Sequence, residues 1–280
     1  MNDKITAERF DLIIEPSLIK KNYWKDLWKF RELFFFLAWR DILVRYKQTV
    51  IGLAWSLIRP FLTMIVLTVV FGNIARLPSS GVPYPILVYA ATLPWQFFAT
   101  SFADASNSLI GNSNMLTKIY FPRLIIPSST IIVNFVDFLI SFVILIGLMF
   151  WYHFTPTWAI VLLPAFFIHL LLISIGAGFY IAAVNVKYRD FKYIVPFVIQ
   201  LGLYISPVGF SSNVIQEKWR LLYSLNPIVG VIDGFRWAIT GDTKQLYLPG
   251  YLLSWAITIL LVIIGIRYFR KMERSFADII

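Results

Sequence analysis

The sequence predicts an all-α integral membrane protein. It has six transmembrane helices, a helix at the cytoplasmic interface ahead of them, and short re-entrant helices on the outer side before the last span. Three observations predict this. Apolar residues make up 59% of the 280-residue chain, above the roughly 45–50% of an ordinary soluble domain. Charged residues are 14%, so a soluble fold would lack the polar skin to cover that interior. Apolar segments near the length of about 20 residues that a spanning helix requires recur along the chain.

These figures exclude a soluble enzyme, a disordered chain and a secreted disulfide scaffold. The chain has no cysteine, which excludes thiol chemistry, zinc ribbons and disulfides. It carries 25 Lys and Arg against 15 Asp and Glu, a formal net charge of +10. Such a balance suits anionic lipid surfaces or phosphate-bearing ligands.

Residues 1–24 read as a polar cytosolic extension. Met1 to Tyr23 has no apolar core with a cleavage site, so no signal peptide is expected. Residues 25–280 read as one membrane domain. The run Leu33–Trp39 is too short to cross. Lys25, Lys29 and Arg31 precede it and Arg40, Arg45 and Lys47 follow it, so 25–48 reads as a helix at the cytoplasmic interface. Its apolar stripe is not clean, which leaves both lipid contact and burial against other spans open. The spans are placed at about 52–75, 84–110, 124–150, 158–184, 194–210 and 248–266. The fifth is short and bracketed by Pro196 and Pro207. On the fourth, Ser174, Gly178 and Ala182 form a stripe of small residues that permits close helix packing.

Six spans put both termini on one side, and Lys and Arg in short loops say which. Ten basic residues lie within the first 50 positions. Lys118 and Arg123, then Lys187, Arg189 and Lys192, then Arg267, Arg270, Lys271 and Arg274 fall on the same side. This predicts cytoplasmic termini. The exception is the last outer segment, with Lys218, Arg220, Arg236 and Lys244. That segment, 211–245, is too long for a plain connection. Asn226-Pro227 opens a helical pattern over Ile228–Ile239 and Gly241 closes it. It reads either as short helices dipping back into the outer half of the membrane, covered by protein, or as an ordinary outer loop domain.

Enzyme signatures are missing. The sequence holds no phosphate-binding GxxxxGK[ST] loop, no HExxH and no GxSxG. His153 and His169 are the only histidines, and no two of the eight acids after residue 50 have DxD spacing. Transport would draw its energy from a partner or a gradient. Among polar groups within spans, Asp137 and His169 fall at depths that differ by about 3 Å. A pair between them, helped by Asn134, fits a structural hydrogen bond or a proton relay. Asp104 and Asn107, near the cytoplasmic end of the second span, fit a role in holding the adjacent loop.

Arg59 lies one to two turns into the first span. It either snorkels or faces a watery entrance. With Arg40, Arg45 and Lys47 it forms a cationic rim suited to phosphate or pyrophosphate. Aromatic residues crowd the spans, among them Trp55, Tyr89, Trp95, Phe98 and Tyr204. They fit either an interfacial belt or a surface on which sugar rings stack.

Several stretches carry a family resemblance. Trp39-Arg40-Asp41 through Lys47-Gln48-Thr49, then Gly52 and Trp55 to Arg59-Pro60, resembles the opening of the ABC-2 type permeases that export polysaccharides. Leu93-Pro94-Trp95-Gln96-Phe97-Phe98 is similar to their second span. Asn107-Ser108-Leu109 through Asn114 and Lys118-Ile119-Tyr120-Phe121-Pro122-Arg123 are similar to the loop after it. Asn185-Val186-Lys187-Tyr188-Arg189-Asp190, Asn226-Pro227 and Gly234-Phe235-Arg236 continue the match, which runs from about residue 25 to the C-terminus.

The resemblance implies the membrane subunit of a bacterial O-antigen, capsule or teichoic-acid exporter in the inner membrane. Two copies would pair, each with a separate P-loop ATPase that binds ATP and magnesium, so this chain would need no cofactor or metal of its own. The cargo would be a glycan on undecaprenyl pyrophosphate or a similar lipid. Residues 25–48 would be the interface helix, 110–123 the coupling loop and 211–245 the gate segment. Asn114, Lys118, Tyr120, Phe121 and Arg123 would meet the ATPase. Arg40, Arg45, Lys47 and Arg59 would take the pyrophosphate, and Trp55, Tyr89, Trp95, Phe98 and Tyr204 would line the glycan path. The alternatives are an ABC-2 exporter of a small lipid or drug, a membrane-bound glycan-modifying enzyme, which would need an acid/base cluster, and a gradient-driven flippase, which would need Asp137.

Overall fold

The computed structural model describes residues 19–47, 52–79, 81–243 and 245–276, and everything regular among them is helical. Most of the N-terminal extension, the 48–51 junction and Lys244 lie outside the described residues. Among the described residues, five helices are long and apolar enough to cross a membrane. The fifth predicted span is a shorter apolar helix.

Two helices, α1 (Ile19–Lys29) and α2 (Arg31–Lys47), replace the single interface helix expected over 25–48. Helix α2 buries Leu37 and Ala38 while Phe35, Phe36 and Trp39 stay exposed, and it packs on the third long helix, α6. One face of α2 therefore meets protein and the other faces outward.

Helix α3 (Gly52–Leu67) continues as a π-helical turn over Thr68–Ile74, a feature the hydrophobic pattern does not show. Helix α4 (Tyr84–Gly111) carries Pro85 in its first turn, where the missing N–H costs nothing. It is the most buried span and packs between α6 (Ile125–Trp151) and α7 (Leu163–Lys187). The short helix α5 (Ser113–Lys118) lies in the predicted coupling loop. The predicted fourth span divides into a 3-10 turn over Trp158–Leu162 and α7, because Pro164 suits a helix start and not a helix interior. The small-residue stripe packs as expected: a Cβ built on Gly178 would sit 3.1 Å from the Ala105 side chain on α4.

Helix α8 (Phe191–Ile205) ends earlier than the predicted 210. Ser206 precedes Pro207, which disfavours helical backbone, and it is extended (φ −79°, ψ 152°). Helix α9 (Glu217–Tyr223) and α10 (Pro227–Thr240) follow. The Asn226 side chain caps α10 and Gly241 ends it with φ 69°, as the sequence pattern predicts. Eleven residues of α10 are buried, and it packs on α4, α7 and the last helix, α11 (Leu248–Met272). Helix α10 is thus packed into the helical bundle.

Helices α7 and α11 run parallel, with His169 beside Thr258 and Phe179 beside Phe269. They come close at Gly176 and Gly265, where a Cβ on Gly265 would fall 2.2 Å from the Gly176 carbonyl oxygen. Lys187 and Leu248 therefore lie at opposite ends of the bundle. Helix α8 runs antiparallel to α4, with Trp95 against Gly202 and Tyr84 bonded to the Gly209 carbonyl.

Candidate functional site

One end of the bundle gathers Tyr23, Arg123 and Glu273, and with them the basic segments. Just inside that end, α2, α3, α4 and α6 enclose a polar cavity of about 370 Å³. Its lining includes Arg45, Trp55, Arg59, Gln96, Asp104, Asn134 and Asp137.

A dense network forms one wall. Arg45 donates to Asp104 at 2.9 Å, to Asn134 at 2.8 Å and also to Asp137. Asn134 donates to Asp104 at 3.0 Å. Asp137 further accepts from Tyr46 and, at 2.7 Å, from Ser56. Helix α2 is thereby bonded to α4 and α6, and Asp137 links α6 to α3 through Ser56. Burial opposes the Arg45 charge most, but Asp104 and Asp137 outweigh it and hold the guanidinium above the ordinary arginine range. Burial first, then the bond to Asp137, pushes the Tyr46 hydroxyl up.

The four cations of the expected rim divide by environment. Arg45 faces two carboxylates, and Arg40 pairs with Asp41 at 2.7 Å and donates to Asn112 at 3.2 Å. Lys47 and Arg59 are exposed, and neither makes an ion pair among the described residues. The cavity combines an anion-ready cation, carboxylate and amide groups that bond hydroxyls, and the Trp55 ring.

The five candidate path aromatics do not share one surface. Trp55 and Tyr204 are 53% and 62% exposed. Phe98 is half-buried against Trp95, which is itself buried against Gly202. Tyr89 is fully buried, its hydroxyl donating to the Ser141 carbonyl at 3.0 Å. Tyr89 therefore packs the core of the bundle, because a polar tip with a nearby carbonyl makes an aromatic ring comfortable there.

The expected pair of Asp137 and His169 does not form. The acid turns to Arg45, Tyr46 and Ser56, a cluster on α2 and α3 that carries the opposite charge. His169 bonds Thr258 at 2.9 Å and stacks on Trp255 at 4.2 Å, both on α11.

Within the 110–123 segment, Asn114, Lys118 and Tyr120 are exposed and Phe121 is buried. Arg123 turns inward. Its backbone N–H donates to Glu273 at 2.8 Å and its guanidinium donates to the Glu273 carbonyl. Tyr23 donates to the same carboxylate at 3.2 Å, and burial pushes its hydroxyl up. Sequence reasoning missed Glu273, since nothing in a pattern shows that a terminal acid folds back on a loop.

It also misread Arg236 as a loop charge. Arg236 is fully buried and donates to the carbonyls of Leu87, Val208 and Phe210 at 3.1, 2.9 and 2.7 Å. The run Gly234-Phe235-Arg236 inside a helical pattern was the available signal.

The chain matches known proteins over most of its length. The family model described as ABC-2 type transporter matches residues 32–240. The chain is 28% identical to the O-antigen export system permease protein RfbA of Myxococcus xanthus, over 76% of this chain and 82% of that protein. It is 27% identical to the protein of the same name from Klebsiella pneumoniae, over 86% and 92% of the two chains. It is 22% identical to the polysialic acid transport protein KpsM of Escherichia coli, over 84% and 92%.

Proposed function

This chain belongs to the ABC-2 type transporter family, and from that premise we propose that it is the membrane subunit of an exporter that carries lipid-linked polysaccharide of the O-antigen kind across the bacterial inner membrane. The observation that carries this reading is the polar cavity built into an apolar bundle, with a sugar-compatible lining and an exposed arginine. The relatives are named for O-antigen export and polysialic acid transport.

In this reading the chain crosses the membrane six times with cytoplasmic termini. The parallel run of α7 and α11 supports the sixth crossing, since α8 and the residues after it return the chain between them. Two copies pair, and each docks a separate ATPase that binds ATP and magnesium. The exposed Asn114, Lys118 and Tyr120 meet that ATPase, while Phe121 and Arg123 brace the segment from inside. Lys47 and Arg59 receive the pyrophosphate, and Arg40 and Arg45 hold the rim in place. Trp55, Phe98 and Tyr204 offer stacking surfaces, Trp95 backs Phe98, and α9 with α10 gates the outer side.

Deleting the gene and analysing surface glycan tests the reading, together with affinity purification of the full chain. Loss of surface polysaccharide and co-elution of a P-loop ATPase stimulated by lipid-linked glycan are expected. Intact surface glycan in the deletion strain overturns it.

A further inference from the structure

The outward face of α11 changes character along its length. At about 3.6 residues per turn, Leu260, Ile263 and Ile264 share one face, and all three are exposed. Arg267, Lys271 and Arg274 continue that same face and are exposed as well, the last in the 3-10 turn over Glu273–Ser275. Arg270 flanks them and lies over the Tyr23 ring at 4.5 Å. The opposite face of α11 holds Thr258, Gly265 and Phe269, all buried, and packs on α7.

Arg267, Arg270, Lys271 and Arg274 surround an open recess of about 540 Å³. None of the four makes an ion pair among the described residues. Glu273, the one acid within 248–276, turns away to Arg123 and Tyr23.

We propose that this face binds an anionic phospholipid of the leaflet at the basic end: its phosphate in the recess among Arg267, Lys271 and Arg274, its acyl chains along Leu260, Ile263 and Ile264. The site is separate from the export cargo and requires only that α11 spans a membrane. Charge complementarity selects the head. Three exposed cations spread over about 10 Å of helix axis suit phosphate oxygens, and a basic cluster just beyond a span attracts acidic lipid with the field of all its members. A zwitterionic headgroup brings a cation of its own and gains less. Continuity selects a lipid over a protein. The cationic face runs without a break into an outward apolar face that extends from Leu252 to Ile264, about 18 Å, against about 15 Å for one leaflet. The 110–123 segment reaches α11 from the other side, where Arg123 lies over Phe276 at 5.8 Å and Phe276 packs on the buried Phe269 at 5.3 Å. A bound phosphate would offset the mutual repulsion of the cations at the turn that carries Glu273.

The test uses phosphatidylglycerol bearing a diazirine in one acyl chain, photolysed in phosphatidylethanolamine nanodiscs with the full chain purified together with its bound partners. Labelled peptides are expected over 252–264. Diazirine phosphatidylethanolamine at the same mole fraction is expected to label that stretch at least about tenfold less, since each cation near an anionic headgroup contributes about fivefold in affinity. Salt at about 1 M, where the Debye length is about 3 Å, shrinks the difference. Replacing Arg267, Lys271 and Arg274 together by Gln abolishes the preference. Arg267→Lys with Arg274→Lys keeps most of it, which separates loss of charge from misfolding. Equal labelling of 252–264 by the two lipids overturns the proposal, and so does a preference that survives the triple Gln variant. A preference of the same size on every outward-facing helix also overturns it, because the attraction then belongs to the whole basic end. If the triple Gln variant sheds a protein that co-purifies with the natural chain, the face docks protein and the proposal falls.

Discussion

Glu273, at the end of the last long helix, accepts a hydrogen bond at 2.8 Å from the backbone N–H of Arg123, 150 positions earlier. With Tyr23 donating to the same oxygen, one carboxylate joins the N-terminal helix, the segment after α5 and the C-terminal end. The 110–123 segment is therefore linked through Glu273 to α1 and to the end of α11.

Replacing Glu273 with Ala strands two donors at a cost of about 1–3 kcal/mol. The expected phenotype is uncoupling: ATP hydrolysis by the assembled transporter persists while glycan export falls. Parallel ATPase and export measurements on Glu273→Ala and Glu273→Gln check it. Equal loss of both activities would show a merely structural role.

Arg45 and Asp137 are predicted to be energetically coupled. Both side chains are partly exposed, at 34% and 22%, so solvent screens the pair and the coupling falls within the range of about 0.5–3 kcal/mol for contacting residues. A thermal-stability cycle of Arg45→Ala, Asp137→Ala and the double variant measures it. The double variant is expected to be more stable than the sum of the singles, since Arg45→Ala alone leaves Asp104 and Asp137 without their shared cation.

Arg236→Ala leaves the carbonyls of Leu87, Val208 and Phe210 without their donor inside the bundle. A loss of at least about 3 kcal/mol is expected, the scale for stranded buried polar groups taken together. Arg236→Lys restores only part of it, because an ammonium lacks the planar fork that reaches several acceptors. Protease sensitivity between α8 and α10 is the readout.

Glycine substitutions separate contact from open space. Gly265→Ala places a Cβ 2.2 Å from the Gly176 carbonyl oxygen, so α7 and α11 must part, at a cost of about 1–3 kcal/mol. Gly147→Ala meets nothing within 4 Å, and higher helix propensity makes it neutral or stabilising by up to about 1 kcal/mol. Melting of the two variants in detergent distinguishes them.

The covalent pattern determined the membrane class, because 14% charged residues leave no soluble surface. It also placed the long spans, the small-residue stripe at Gly178 and the α10 boundaries, since Asn226, Pro227 and Gly241 act through local backbone preferences. Of the residues that line the cavity, Arg45, Arg59 and Trp55 were legible as residue types on particular segments. What only the tertiary structure decided is which groups meet. Asp137 turned from His169 to Arg45, Tyr89 turned inward, Arg236 left the loop for the interior and Glu273 folded onto Arg123. Hydrophobic periodicity specifies which face of a helix is apolar, but not its rotation against neighbours far away in the chain. Polar pairing inside an apolar bundle depends on that rotation, because a buried charge takes whichever partner the packing brings within reach.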